Sequence, residues 1–264
     1  MHKRVIRPPR RLRRYNPAMA IAKSLAGKVA LVTGGARRLG RAAALALAQE
    51  GADVAITYLS SPKEAQRTVN DIERSGVGGL AIRCDVTEPK SVLTAVKEAV
   101  TKLGGIDILV NNAGAYETVP FEDLTIEQWD TVFGVNVRGP FVVSQAALPN
   151  LQRRKGRIIN LGSLGGLRAW PTHAHYCSSK AALHMLTKAM AKALAPEIAV
   201  NCVAPGMIDL GEKSAKQFTK RLANQTPMRR SGTGDDVTAA VLFFATAPTF
   251  ITGQVLYVDG GLGL

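Results

Sequence analysis

From Lys28 onward the chain alternates between two rhythms of apolar and polar positions. Short runs rich in aliphatic and β-branched residues occur at 29–33, 53–58, 80–84, 106–111, 157–161, 198–203 and 255–258. They are apolar almost throughout, the pattern of strands covered on both faces. Longer segments between them, at 40–50, 62–75, 88–103, 125–152, 174–195 and 234–246, carry apolar residues at helical spacing. Strand and helix alternate without an antiparallel hairpin signal. The pattern predicts right-handed crossovers and an α/β fold: a single doubly wound domain with a seven-stranded parallel sheet flanked by helices.

The first 26 residues show neither rhythm, and Pro8, Pro9 and Pro17 interrupt them further. They read as a basic, disordered extension ahead of a domain spanning 27–264. Between Lys3 and Arg14 stand seven basic residues and no acid, half of the formal charge of +14. The rest of the chain is therefore only moderately basic, and the domain is not expected to bind nucleic acid. For the arm itself four readings stay open: a solvated tail, an arm for nucleic acid or anionic lipid, an Arg-rich targeting peptide, or an over-extended start ahead of Met19. Apolar residues make up 46% of the 264 and charged residues 20%, an ordinary globular composition. No apolar run approaches the ~18 residues of a membrane span. Cys84, Cys177 and Cys202 lie far apart without metal-ligand spacing, which predicts neither a disulfide framework nor a metal site. A reducing, cytoplasmic setting is the simplest expectation.

The candidate chemistry begins at "TGGARRLG", Thr33–Gly40, between the first strand and the first helix. In doubly wound sheets this turn receives a pyrophosphate at a helix N-terminus. Gly34 permits the tight turn and Gly40 the close approach of helix to sheet, although a glycine pattern alone is weak evidence. Further motifs follow in order: "CDVT" at 84–87, "NNAG" at 111–114, "YCSSK" at 176–180, "NCVAPG" at 201–206 and "ITGQVLYVDGG" near the end. With these, the chain from about Gly27 onward resembles the short-chain dehydrogenase/reductases, with features of 3-oxoacyl-[acyl-carrier-protein] reductases and of pteridine reductases. The resemblance implies a Rossmann-like domain and an NADP-dependent oxidoreductase acting on a small-molecule carbonyl.

The resemblance also implies roles. Ser163 would hold the substrate oxygen, Tyr176 would donate the proton, Lys180 would bind the cofactor ribose, and Asn136 would order a water in the proton relay. Tyr176 and Lys180 share a helix face at i and i+4. A phenol titrates near ~10, and the ammonium is expected to lower that value. Cofactor contacts would come from Gly34, Leu39 and Gly40 in the first loop and from Asp85 and Val86 after the third strand. Asn112, Ala113 and Gly114 would form a wall, and Pro205 and Gly206 would sit beside the nicotinamide. The family pattern has a third glycine where this chain has Arg38. The second strand ends in "ITYLSS", so Tyr58 and Ser60 stand where an acid would bind the NAD ribose. Arg37 is expected to pair with a 2′-phosphate and Arg38 to lie along the pyrophosphate, which makes NADPH/NADP+ the expected cofactor. Asp209 departs from a family threonine and is not counted as a contact.

The remaining residues have plainer expectations. His173, His175 and His184 are read as surface positions, Cys177 as packing, and Trp170 as a substrate-facing aromatic. Residues 207–230 read as a mobile lid. The substrate is a ketone or 3-oxoacyl thioester, with a dihydropterin as the alternative. Arg154 half-matches a carrier-binding pair. An NADP-sensing protein with a nucleic-acid-binding arm is a reading of another class; the complete Ser/Tyr/Lys/Asn set argues against it. A homotetramer or dimer is implied by the resemblance, with 125–152 and 174–195 as contact faces.

Overall fold

The computed structural model describes residues 23–211 and 223–264. The expected arm therefore falls almost wholly outside the described residues, as does the middle of the expected lid. The packed region begins earlier than Gly27: Leu25 is buried, its amide donates to the Glu50 carbonyl, and Ser24 Oγ donates to the Glu50 carboxylate at 2.7 Å.

Seven parallel strands form one sheet in the order β3-β2-β1-β4-β5-β6-β7. These are β1 (Val29–Val32), β2 (Asp53–Tyr58), β3 (Gly79–Arg83), β4 (Ile108–Asn111), β5 (Arg157–Leu161), β6 (Ala199–Pro205) and β7 (Val255–Val258). The order reverses between β1 and β4, where Leu31 pairs with Ala55 on one side and Leu109 on the other. Such a reversal opens a crevice beyond the carboxyl ends of the strands.

The helices are α1 (Arg38–Gln49), α2 (Pro62–Glu73), α3 (Pro89–Leu103), α4 (Ile126–Phe133), α5 (Gly139–Arg154), α6 (Ala174–Leu194) and α7 (Gly234–Thr246). Successive strand residues point to opposite faces, so each face has its own core. Ala30, Val32, Val54 and Ile56 pack with Leu47 of α1, Val69 of α2 and Val241 of α7. Leu31, Ala55, Leu109 and Ile158 pack with Val96 of α3 and Leu151 of α5. Apolar neighbours on both faces explain the predominantly apolar runs.

The expected helix over 125–152 is in fact two. Gly134–Arg138 forms a π turn between α4 and α5, and it carries the buried Asn136. Among the described residues no helix is long and apolar enough to cross a membrane, and no cluster of ligating side chains suits a metal ion. At the amino edge of the sheet, buried Asp107 accepts from Val29 N and pairs with Lys28 and Arg154 at 3.2 and 3.0 Å. Arg154 also donates to the Gly104 carbonyl. It is thus tied into the fold at the end opposite the crevice.

Candidate active site

Beyond the carboxyl ends of the strands lies a cavity of about 540 Å³. The first loop forms its floor. Thr33, which sequence reading passed over, is the hub: its Oγ1 accepts from the amides of Asn112 and Ala113 at 2.9 and 3.0 Å. The Asn112 amide group donates back to the carbonyls of Thr33 and Gly34. Gly34 has a positive φ of 63°, which glycine adopts at little cost. No side chain caps α1 and no acid stands in its first turn, so its N-terminus suits an anion. Arg38 adopts φ 54°, a left-handed conformation costing a non-glycine residue about 1 kcal/mol.

The residues expected to hold a cofactor mostly converge here. Arg37, Arg38 and Leu39 line one end with Tyr58 and Ser60 of the β2 terminus. Asp85 and Val86 line the wall above β3, and Asn112, Ala113 and Gly114 line the β4 side. Asp85 is oriented by Thr87, whose amide and hydroxyl both donate to its Oδ1. Pro205 reaches the cavity; Gly206 is set behind it, where a Cβ would lie 2.6 Å from that of Asp259. Asp209 accepts from the Gly211 amide and is exposed.

Tyr176 and Lys180 close the other end. Ser163 is brought to them by the turn after β5, where its Oγ accepts from Gly165 N at 3.0 Å. Ser163 beside it lowers the phenol's pKa, but burial is the larger influence and raises it. The expected lowering by Lys180 does not occur here: its Nζ donates to the Leu161 carbonyl at 2.8 Å and lies 5.8 Å from the Tyr176 ring centroid. Tyr116 and Cys177 instead push the phenol further up. Burial brings Lys180 down to about 8. Asn136 holds the β4 loop, accepting from Ala115 N at 2.8 Å and donating to its carbonyl at 2.9 Å and to Ser179 Oγ at 3.0 Å.

The three histidines are not surface residues: His173, His175 and His184 are 9%, 0% and 7% exposed. Gly162 and Gly166 make room for His184, since a Cβ on either would lie 2.5 Å from its ring. Its Nε2 faces the Ser163 amide at 3.5 Å. Burial, with Lys180 and Lys188 nearby, lowers His184 to about 4. Unfolded, it binds its proton near 6.5, so stability is full above that pH and is lost as pH falls toward 4. Urea unfolding should show a loss on the order of 3 kcal/mol across that window, and His184→Gln should flatten it.

Residues 34–263 match a family model described as enoyl-(acyl carrier protein) reductase. The 3-oxoacyl-[acyl-carrier-protein] reductase FabG of Staphylococcus aureus is 38% identical over 240 residues, 89% of this chain and 98% of that protein. A short-chain dehydrogenase/reductase from Serratia marcescens superposes with a TM-score of 0.86 at 38% identity, covering 91% of this chain and all of its own. The chain belongs to the short-chain dehydrogenase/reductase family. It is an oxidoreductase of that family. A further short-chain fold match, a blue fluorescent protein from a metagenomic library, was solved in complex with NADPH; it is 36% identical with a TM-score of 0.86, covering 91% of this chain and 100% of that one.

Proposed function

We propose that this short-chain dehydrogenase/reductase is an NADPH-dependent reductase of ketones and 3-oxoacyl-type carbonyls. The carrying observation is that Tyr176 and Lys180, with Ser163 close behind Tyr176, stand at one end of a cavity whose other end holds Arg37 and Arg38 over a glycine cradle. When bound, the cofactor supplies a hydride to the carbonyl carbon. Ser163 and Tyr176 hold the carbonyl oxygen by hydrogen bonds, and Tyr176 gives it a proton as the charge develops. Lys180, which lines the cavity, would bind the ribose hydroxyls. The similarity to a 3-oxoacyl-carrier reductase supports a carbonyl substrate, and the absence of an acid at Tyr58–Ser61 supports NADPH. Loss of NADPH absorbance with a panel of ketones, acetoacetyl thioesters and dihydropterins tests the reading; turnover of dihydropterin alone overturns the substrate class.

Cofactor choice rests on Arg37. A charge-assisted bond to phosphate contributes about 1.5–3 kcal/mol. Arg37→Gln should therefore raise the KM for NADPH ~10-fold or more while leaving that for NADH unchanged. A parallel rise for both cofactors places Arg37 elsewhere. We also propose a homo-oligomer built through the faces of α4, α5 and α6, where Ile126, Trp129, Phe141 and Met185 are exposed apolar residues. Light scattering of Phe141→Glu against the unaltered protein tests it, a smaller species being the expected result.

A further inference from the structure

Tyr116 and His173 touch neither hydride donor nor carbonyl in the proposed chemistry, yet Tyr116 stands close enough to Tyr176 to raise its pKa. Tyr116 follows β4 and lines the cavity that holds Tyr176 and Lys180. Its ring meets that of Tyr176 edge-on, with centroids 4.9 Å apart. Its hydroxyl lies 2.6 Å from His173 Nε2, while the residue remains 60% exposed. His173 is held at every polar atom: Nε2 also meets Thr118 Oγ1 at 3.1 Å, and Nδ1 meets Thr172 Oγ1 at 2.9 Å. Trp170 stands edge-on to it at 5.8 Å, and the Val119 amide donates to the Thr172 carbonyl, joining the two loops. A buried imidazole needs partners for its nitrogens. Three hydroxyls serve this one, and of the three only Tyr116 lines the cavity.

Resting on the carbonyl-reductase reading, we propose that Tyr116 is a specificity-determining residue, positioned by His173, that hydrogen-bonds a second oxygen of the substrate beside the carbonyl held at Ser163 and Tyr176. Burial and His175 hold the His173 ring below its ordinary range, so it is neutral near pH 7. A neutral imidazole has one N–H and one lone pair. With the proton on Nδ1, Tyr116 donates to Nε2 and keeps a lone pair for the cavity. With the proton on Nε2, Tyr116 accepts it and keeps its own O–H to donate. Nε2 has a single hydrogen or lone pair, and Tyr116 at 2.6 Å is nearer to it than Thr118 at 3.1 Å, so in both tautomers the phenol is held there with a bond left to make. The fitting substrates are carbonyl compounds with a second oxygen nearby, such as 3-oxo esters, rather than simple ketones.

The test is a matched pair, ethyl acetoacetate and 2-hexanone, reduced with NADPH. Tyr116→Phe should lower kcat/KM for the oxo ester ~10-fold, mainly through KM, and leave 2-hexanone and the NADPH KM unchanged. His173→Phe should reproduce that selective loss, and His173→Gln, which keeps a bonding group, should recover part of it. Equal losses on both substrates, or none in Tyr116→Phe, overturn the proposal. If the unaltered protein reduces neither compound, the carbonyl-reductase reading fails by itself. Calorimetric titration of the NADP+-loaded protein with acetoacetate then decides on Tyr116: ~10-fold weaker binding in Tyr116→Phe supports the contact, and equal affinity or no binding overturns it.

Discussion

Tyr176→Phe is expected to reduce kcat ~1000-fold while the affinity for NADPH stays within about twofold. The substitution removes one oxygen from a half-buried ring whose edge packs against Tyr116, so the fold has little reason to respond. Burial holds the phenol above its ordinary value of 10, so it carries its proton at neutral pH, as a donor in reduction must. Ser163 acts in the other direction and lowers the pKa. Lys180, brought to about 8, is charged below that pH and neutral above it. The rate of reduction should therefore decline on an alkaline limb near pH 8, and Lys180→Arg should move that limb upward because guanidinium keeps its proton. Steady-state rates of the unaltered protein and of Lys180→Arg between pH 6 and 10 check both statements. Undiminished turnover in Tyr176→Phe ends the proposed role of this residue.

The strand rhythm was legible because both faces of the sheet are covered, so the strands are apolar at most positions. The meeting of Tyr176, Lys180 and Ser163 was legible for a similar reason: one helical turn and one strand end place them. What lay beyond local pattern was missed. The π turn at Gly134–Arg138 has nothing in its composition to separate it from the helices on either side, and only its side chain's three bonds to Ala115 and Ser179 explain it. The histidines were misplaced because imidazole is polar, while the space for His184 comes from Gly162 and Gly166, invisible as neighbours in the chain. The i, i+4 spacing of Tyr176 and Lys180 was right, but their expected electrostatic coupling depended on where the ammonium points. It points to the Leu161 carbonyl. Arg38 shows the converse: sequence marked it as standing in a glycine's place, and its left-handed backbone shows that the loop keeps the glycine's conformation despite the side chain. That strain fits a residue retained for its charge rather than for its backbone.

Gly40→Ala should be the most damaging single methyl group in the chain. A Cβ there would lie 2.3 Å from the Gly34 carbonyl oxygen and 2.4 Å from Asn112 Nδ2. Neither obstacle can yield cheaply. The first is backbone in the turn that Gly34 makes with its positive φ. The second is the far end of a side chain, but one fixed by bonds to the carbonyls of Thr33 and Gly34 at 2.8 and 3.1 Å. To admit the methyl, α1 must move away from the loop, and the first loop then parts from the β4 loop that shares its hydrogen bonds. Overpacking of this kind costs about 3 kcal/mol. For a domain of this size the Tm should fall by roughly 6–12 °C. NADPH binding should be lost with it, since the proposed phosphate cradle is the part displaced. Gly114→Ala is the control: its Cβ meets nothing closer than Asn136 Oδ1 at 3.4 Å, so its Tm should stay within about 2 °C of the unaltered protein. Calorimetric scans of the two variants separate the cases. A Gly40→Ala protein as stable as Gly114→Ala, still quenching its fluorescence with NADPH, would mean that helix and loop are not in the contact on which the whole cofactor end of the site is built.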